Sequence, residues 1–232
     1  PGAESYRDAF RILSNDDRFD INLLATPGVI YDKHQTVVQS GIDMVEARGD
    51  VFYVFDPVGP DATIQEATNS IQTLDTNYAA SYFPWVRVRD RDTGRQREVP
   101  PSAVIPRVYA FSDRNSAEWF APAGLERGGI PEVIEPVLRL RKDERDELYS
   151  NRVNPIAEFQ GQGTVVFGQK TLQVAPSALD RVNVRRLLIN VKKFVASTSR
   201  FLVFEQNVPA TRNRFKNIVN PFLENIQQQQ GL

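Results

Sequence analysis

Along the first part of the chain, apolar positions follow two spacings in turn. Runs that are apolar throughout, or rich in aromatic and β-branched residues, are typical of buried strands; they cover residues 19–25, 51–55 and 78–88. Apolar residues three and four apart predict helices; these cover residues 6–13, 37–48 and 64–74. This βαβ order predicts fold class α/β with a tendency to α+β, namely a mixed, partly parallel sheet flanked by helices on both faces.

The remainder of the chain is divided by the same reasoning. The polar stretch 89–101, with Gly94 at its centre, predicts an exposed hairpin. Helices are predicted over residues 103–110, from about Pro136 to Arg152, and over 182–195 and 215–226. Further strands are predicted as a hairpin of 164–167 with 171–174 around Gly168, and as a single run over 201–204. Because no internal repeat or long linker interrupts the pattern, we expect one domain over residues 1–232.

Composition narrows the possible chemistry. The chain has 232 residues, of which 41% are hydrophobic and 25% charged, an ordinary globular composition. Having no cysteine, it has no disulfide, thiolate metal site or cysteine nucleophile, and one histidine excludes a multi-histidine metal site. No apolar run approaches the roughly 20 residues of a membrane span, so no membrane insertion is expected. The first residues, Pro1 to Glu4, resemble neither a signal peptide nor a natural start, which suggests a cut inside a longer chain.

Charge is distributed unevenly. The net charge is −1, but residues 181–232 hold nine basic and two acidic residues, which gives +7 there and −8 over residues 1–180. A basic end of this kind binds nucleic acid or an acidic surface in some proteins. In a second interpretation, the two parts of the chain face each other or solvent. In a third, copies of the chain associate with one another through their opposite charges. Composition alone does not choose among them.

Motifs for nucleotide binding are incomplete. The dinucleotide fingerprint needs three glycines, and in the stretch that begins at Gly161 the third position is Val166. The segment Gly168–Thr171 ends like a phosphate loop, but the required upstream glycine is absent and no helix is predicted to follow. We therefore predict no residue that binds a nucleotide or another cofactor.

Candidates for acid–base or nucleophilic chemistry are weak. The Gly-x-Ser-x-Gly elbow is absent. His34, at a predicted helix start, is more typical of a surface or capping residue than of a catalytic base. Acidic pairs are densest at Asp16–Asp17 and over 143–147, both in hydrophilic stretches, whereas a catalytic acid needs a dry pocket to raise its pKa. We predict no catalytic and no metal-binding residues.

From Pro100 onward the chain carries a series of short motifs. In order they are Pro100-Pro101-Ser102, Ala110-Phe111-Ser112-Asp113, Trp119-Phe120-Ala121-Pro122-Ala123-Gly124, Leu148-Tyr149 with Asn154-Pro155, Gly168-Gln169-Lys170-Thr171, Arg181-Val182-Asn183-Val184-Arg185-Arg186-Leu187 and Phe204-Glu205-Gln206-Asn207. This series resembles the signature region of contractile phage tail sheath proteins, most specifically in the segments 168–171 and 181–187. The resemblance extends to about Phe215, and the N-terminal βαβ part fits the family more loosely.

The resemblance implies a mechanical, non-enzymatic role without cofactors. In this family, six subunits form a ring around an inner tube, and stacked rings contract to drive the tube through the host envelope without nucleotide hydrolysis. The implied partners are other sheath subunits, the tail tube protein, the baseplate and the tail terminator, with no nucleic acid, and the implied location is the virion. Residues 1–232 are expected to form a sheath core domain lacking the subunit's N-terminal arm and C-terminal strands, and therefore to be monomeric.

The basic C-terminal part supplies the candidate contacts with a neighbouring subunit or the tube. These candidates are Arg185, Arg186, Lys192, Lys193, Arg212, Arg214 and Lys216. For Arg185 and Arg186 the alternative is an internal position, paired with acids under the sheet. Two other functions stay open: the sheath of a bacterial contractile injection system, and a phage carbohydrate-active enzyme that uses an acidic pair.

Overall fold

The structure is a computed structural model that describes residues 2–231, and this part of the chain contains eight α-helices and eight strands. The helices are α1 Ala3–Leu13, α2 Tyr31–Arg48, α3 Ile64–Ser70, α4 Pro101–Asn115, α5 Gly124–Arg127, α6 Lys142–Ser150, α7 Val182–Arg200 and α8 Pro209–Gln228. The strands are β1 Leu23–Ile30, β2 Phe52–Asp56, β3 Ala79–Phe83, β4 Val86–Arg89, β5 Gln96–Val99, β6 Val133–Pro136, β7 Val153–Phe159 and β8 Gly163–Val166.

Five strands form the main sheet, in the order β1-β2-β3-β7-β8. The first three pairings are parallel, and β8 runs antiparallel to β7. A second, antiparallel sheet has the order β5-β4-β6. The predicted fold class, a mixed and partly parallel sheet with flanking helices, is confirmed.

Strand β2 shows how the sheet separates two cores. Successive side chains of a strand point to opposite faces, so Tyr53 and Phe55 pack into one cluster while Phe52 and Val54 pack into the other. The first cluster includes apolar residues of α1, α2, α3 and α6, and the second includes those of α4 and α7. All four side chains are completely buried, as expected for a strand in the middle of a parallel sheet covered on both faces.

Several helix ends follow directly from the local sequence. Helix α2 ends at Gly49, whose φ of +65° is the left-handed conformation that glycine adopts readily after a helix. Helix α3 begins with a capping box in which Thr63 and Glu66 exchange hydrogen bonds. The predicted hairpin around Gly94 is confirmed, because β4 and β5 pair antiparallel on either side of it.

The single strand predicted over 78–88 is two strands in different sheets. Strand β3 joins the main sheet and β4 joins the second one. Between them lies Pro84, which has no N–H group to continue a ladder of hydrogen bonds. The strand predicted over 19–25 is displaced as well: β1 begins at Leu23 and continues to Ile30, with an irregular register between Ala25 and Ile30.

The helix predicted from about Pro136 to Arg152 is confirmed only over Lys142–Ser150, which is α6. Pro136 is instead the last residue of strand β6, where it lies opposite Val86 of β4, and residues 137–141 form neither helix nor strand. Pro136 belongs to a strand because it pairs with one about 50 residues earlier in the chain, and the local sequence does not show that partner.

Two further strand predictions are wrong. Residues 164–167 do not pair with 171–174; instead β8 pairs with β7, which precedes it. Residues 201–204 form a turn, and Phe204 is fully exposed. An apolar run has the same pattern whether it is buried or exposed, so the pattern could not reveal this turn.

Asp56, the last residue of β2, ties the main sheet to the start of α4. Its Oδ1 accepts a hydrogen bond from the Ser102 backbone N–H at 2.9 Å, and its Oδ2 accepts one from the Ser102 hydroxyl at 2.6 Å. The carboxyl group is completely buried. Burial raises the pKa of Asp56 to about 6, although these hydrogen bonds and one from the Gly28 backbone act in the opposite direction.

The raised pKa of Asp56 predicts a loss of stability with rising pH. Between about pH 4 and pH 6 the unfolded chain has released this proton while the folded chain retains it, so the free energy of unfolding falls by about 2–3 kcal/mol as the pH rises. Asp56→Asn removes the titration. From pH 4 to pH 7, urea unfolding should show the variant gaining that amount relative to the unaltered chain; a constant difference would contradict the prediction.

Candidate functional site

Arg186, on α7, lies inside the chain. Its guanidinium donates two hydrogen bonds to Asp113 at the end of α4, at 2.9 and 2.5 Å, and stacks over the Tyr109 ring 4.7 Å from its centroid. The residue is 8% exposed. Burial disfavours the charge on Arg186, but the hydrogen bonds and charge of Asp113 outweigh burial and raise its pKa. This is the internal alternative that the sequence left open.

Arg185 is also 8% exposed, but it forms no ion pair with an acidic residue within residues 2–231. Its guanidinium lies 4.2 Å from the centroid of the Tyr78 ring, a cation–π contact. Burial lowers the pKa of Arg185, and the neighbouring Tyr78 opposes this shift. Both side chains are thus enclosed by their own chain, and in the chain taken alone neither presents its charge to a neighbouring subunit.

Lys192 and Lys193, about two turns further along α7, connect the C-terminal part of the chain to the N-terminal part. The Lys192 ammonium donates to the carbonyls of Arg48 and Gly49, at 3.2 Å each. The Lys193 ammonium donates to the Asp20 carboxylate at 2.6 Å, which holds the pKa of Asp20 below its usual value. Two of the candidate contact residues thus bind other parts of their own chain.

The last three candidates lie in the first two turns of α8 and are exposed. Arg212 donates a hydrogen bond to the side-chain oxygen of Asn207 at 2.8 Å. Arg214 and Lys216 make no ion pair or side-chain hydrogen bond with any residue between 2 and 231. These positive charges therefore face solvent in the chain taken alone.

An apolar turn precedes these charges, and sequence analysis missed it as a surface feature. We call residues 201–208 the α7–α8 turn. Phe201 is 78% exposed, and Phe204 is fully exposed with a φ of +72°, an unusual conformation for a bulky residue. Val203 and Val208 are exposed beside them. Exposed apolar residues grouped in this way are typical of interaction surfaces, and the only signal in the sequence was the apolar run itself.

The residues considered for acid–base chemistry lie apart. His34 accepts a hydrogen bond from the Ile30 backbone N–H at its Nδ1, 3.2 Å away, which is a capping role at a kink in α2. Asp17 forms an exposed ion pair with Arg200. Within residues 2–231 no cluster of three or more histidine and acidic residues is placed to hold a metal ion, and no helix there is long and apolar enough to cross a membrane.

Three curated proteins with sequences similar to this chain are tail sheath proteins of phages. The family model for the phage tail sheath protein central domain matches residues 2–172. The tail sheath protein of Vibrio phage KVP40 is 35% identical over 179 residues, which is 76% of this chain and 26% of that protein. The tail sheath protein of Salmonella phage ViI is 27% identical over 226 residues, which is 94% of this chain and 35% of that protein.

A solved structure has the same fold over nearly the whole chain. The sheath complex of the PVC extracellular contractile injection system, in its contracted state, has a TM-score of 0.79 and 29% identity, covering 96% of this chain and 60% of that one. The chain spans only about a quarter to a third of the length of the phage relatives just described. Because the family model covers well over half of its residues, the chain belongs to the phage tail sheath family.

Proposed function

We propose that this chain is a structural, non-enzymatic part of a contractile tail sheath subunit that works in the virion. In this proposal six subunits form each ring around the tail tube, and stacked rings contract without nucleotide hydrolysis. The driving force is the free-energy difference between two packings of the same subunits. Other sheath subunits, the tube, the baseplate and the tail terminator are its partners, and residues 1–232 act as one sheath core domain.

The observation that carries the proposal is the surface before and at the start of α8, where apolar side chains are exposed and basic side chains have no partner within residues 2–231. The α7–α8 turn exposes phenylalanine and valine side chains, and the unpaired Arg214 and Lys216 follow directly. Aromatic and arginine side chains are enriched at the centres of protein interfaces. We infer that this surface docks against an acidic surface of a neighbouring subunit or of the tube.

The way α8 is held supports this docking role. The rings of Phe194 on α7 and Phe222 on α8 stack with centroids 3.9 Å apart. At the far end of α8, the Trp119 indole N–H donates to the Gln229 carbonyl at 2.9 Å. Because these two contacts hold α8 against the rest of the chain, its first turns have a fixed position. A surface with a fixed position can transmit a displacement from one subunit to the next.

A sheath in a bacterial contractile injection system is the second candidate. The fold match to a contracted injection-system sheath favours it, because that structure covers 96% of this chain. The physical role is the same in both cases, and only the particle that carries the sheath differs. A carbohydrate-active enzyme is less well supported, because three of the four acids of α6 are exposed and the half-buried Glu144 caps the helix by accepting a hydrogen bond from the Arg141 backbone N–H.

Charge reversal at the start of α8 tests the docking surface. In the full-length gene product that carries this sequence, Arg214→Glu with Lys216→Glu should reduce the number of assembled sheaths in electron micrographs by about tenfold or more, because like charges then oppose each other at the contact. Phe201→Ser with Phe204→Ser should act in the same direction by removing the apolar part.

The matched control reverses two exposed basic residues elsewhere, Arg114→Glu with Lys142→Glu, which should leave sheath number and length unchanged. Circular dichroism should show that all variants remain folded. Normal assembly by both α8-side variants would contradict the docking surface.

Separately, light scattering should show the isolated 232-residue chain as a monomer, and a ring at modest concentration would contradict that expectation.

A further inference from the structure

A second cationic surface lies around Tyr149 of α6, far from α8 in the sequence. The Lys170 ammonium lies 4.6 Å from the centroid of the Tyr149 ring, and the Arg181 guanidinium lies 5.7 Å from it. Arg181 also donates a hydrogen bond to the Tyr149 hydroxyl. The backbones of Lys170 and Arg181 form an antiparallel bridge, which holds both cations on the same ring.

One turn earlier on α6, the same arrangement is repeated. The Arg145 guanidinium lies over the rings of Phe159 and Phe167, 5.1 and 5.8 Å from their centroids. These two rings are 4.9 Å apart, and Phe167 is exposed. We call the six residues of both arrangements the cation–ring belt: Arg145, Tyr149, Phe159, Phe167, Lys170 and Arg181.

Within the belt, Lys170 is the cation without a polar partner. Arg181 forms an ion pair with Asp180 at 3.1 Å, and Arg145 donates to the Leu140 carbonyl at 3.2 Å. The Lys170 ammonium, though half-buried, makes no hydrogen bond or ion pair with any described residue. Burial, together with the charges of Arg181 and Arg152, lowers the pKa of Lys170. A carboxylate brought to this ammonium would offset the lowering, because its opposite charge favours the protonated form.

An acidic cleft lies at the opposite edge of the main sheet. It is lined by Asp32 at the start of α2 and by Asp61 and Glu66 around the start of α3, with Lys33 as the one cation. The carboxylates of Asp32 and Asp61 are exposed and make no ion pair or side-chain hydrogen bond within residues 2–231. The cleft follows strands β1 and β2, whereas the belt lies beside β7 and β8, at the other end of the strand order.

We propose that the cation–ring belt is an interaction surface for a second copy of this chain, with Lys170 binding a carboxylate of that copy's acidic cleft. Complementary charges at opposite edges of one sheet make a head-to-tail contact, which repeats from copy to copy rather than closing on itself as a pair. The contact is distinct from the α7–α8 turn, and it rests on the proposed function only in assuming that copies of this chain assemble.

Other occupants fit the surface less well. The belt combines cations and aromatic rings, as surfaces that bind single-stranded nucleic acid also do. However, the rings of Tyr149 and Phe159 already face cations of their own chain, which leaves a base little room to stack. A carboxylate needs only the free ammonium, and the chain itself supplies an acidic cleft of opposite charge.

A single contact based on a partly exposed ion pair is too weak to hold a stable oligomer, so the isolated chain should stay monomeric by light scattering. Carbodiimide cross-linking of the isolated chain traps such short-lived contacts covalently and therefore tests the proposal. An equal mixture of ¹⁴N and ¹⁵N chains is treated at low salt, so that peptides joined between two copies are recognised by their mixed isotopes. We expect Lys170 joined to Asp32 or Asp61 of a different copy. Asp61→Asn alone keeps the reactive Asp32 carboxylate but removes the neighbouring charge, so it should lower the Lys170–Asp32 cross-link about three- to fivefold, the range for a partly exposed ion pair.

Yields are normalised to cross-links of Lys142, an exposed lysine on α6 outside the belt. A rise in salt to 0.5 M should lower the Lys170 cross-links by a similar factor through screening. An unchanged normalised yield in the Asn variant would overturn the proposal, as would Lys170 cross-links found only within one copy. Protection of Lys170 by a single-stranded oligonucleotide, without cross-links between copies, would also overturn it. None of these results depends on whether α8 variants assemble into sheaths.

Discussion

Replacing Asp113 with alanine is expected to lower the free energy of unfolding by about 3–5 kcal/mol, the largest single effect among the variants considered. Asp113 neutralises Arg186 through two hydrogen bonds, and the Arg186 side chain is enclosed between α7, α4 and the Tyr109 ring. Without the carboxylate, the buried Arg186 charge loses both of its hydrogen-bonded acceptor oxygens and keeps only Glu118, which is not in ion-pair contact, as an acidic neighbour. Urea unfolding followed by circular dichroism measures the loss.

A double-mutant cycle distinguishes the buried charge from lost packing. Arg186→Met keeps an unbranched apolar side chain and removes the charge, so Asp113→Ala in that background should cost much less than in the unaltered chain. The coupling between the two positions should exceed about 1 kcal/mol. Additive effects of the two substitutions would show that the ion pair does not determine the stability of this region.

Asn154→Ala should lower the free energy of unfolding by about 3–4 kcal/mol. The Asn154 side chain is completely buried in β7 and makes three hydrogen bonds: it donates to the carbonyls of Ser81 and Lys170, and it accepts from the Lys170 backbone N–H. The substitution leaves these buried backbone groups without partners, and each such loss costs on the order of 1 kcal/mol or more.

Asn220→Ala, at an exposed position of α8, is the matched control and should change stability by less than about 0.5 kcal/mol. A second readout follows from geometry, since Asn154 fixes the backbone on both sides of Lys170. Hydrogen exchange of the Lys170 amide should speed up in Asn154→Ala under native conditions. Unchanged exchange together with a small stability loss would refute the assigned role.

The parts of the fold that sequence predicted well are those with local causes. Helix α2 ends where Gly49 allows it to end, and the hairpin around Gly94 closes over a few residues. Strand β2 is apolar from Phe52 to Phe55, and this short continuous run was recognisable as a buried strand. In each case the residues that determine the structure lie next to one another in the chain.

The errors have distant causes. Strand β6 forms through pairing with β4, and nothing in the neighbourhood of Pro136 indicates that partner. Among the candidate contacts, Arg186 and Lys193 found partners 73 and 173 residues away. Spacing on helix α7 showed that these residues were basic and off the apolar stripe. It did not show that Tyr109 and Asp113 would enclose one of them, because that depends on how α4 packs against α7.

Surface features were predicted in part. The basic start of α8 was recognised from charge, but the exposed α7–α8 turn was taken for a buried strand, because Phe201 and Phe204 have the composition of one. The cation–ring belt escaped sequence analysis entirely. Its members come from α6, β7 and the segments after β8, and only the pairing of β7 with β8 and the bridge between Lys170 and Arg181 bring them together.

The pairing of β3 with β7 has a consequence for synthesis on the ribosome. Ser81 lies opposite Val153, so the outer edge of β3 has no partner until about 70 further residues have been translated. At usual elongation rates this takes about 4–15 s. During that interval the nascent chain presents an unpaired parallel edge, the feature most prone to aggregation. We therefore expect chaperones to engage nascent chains whose emerged part ends before β7, and to release them once β7 has been inserted.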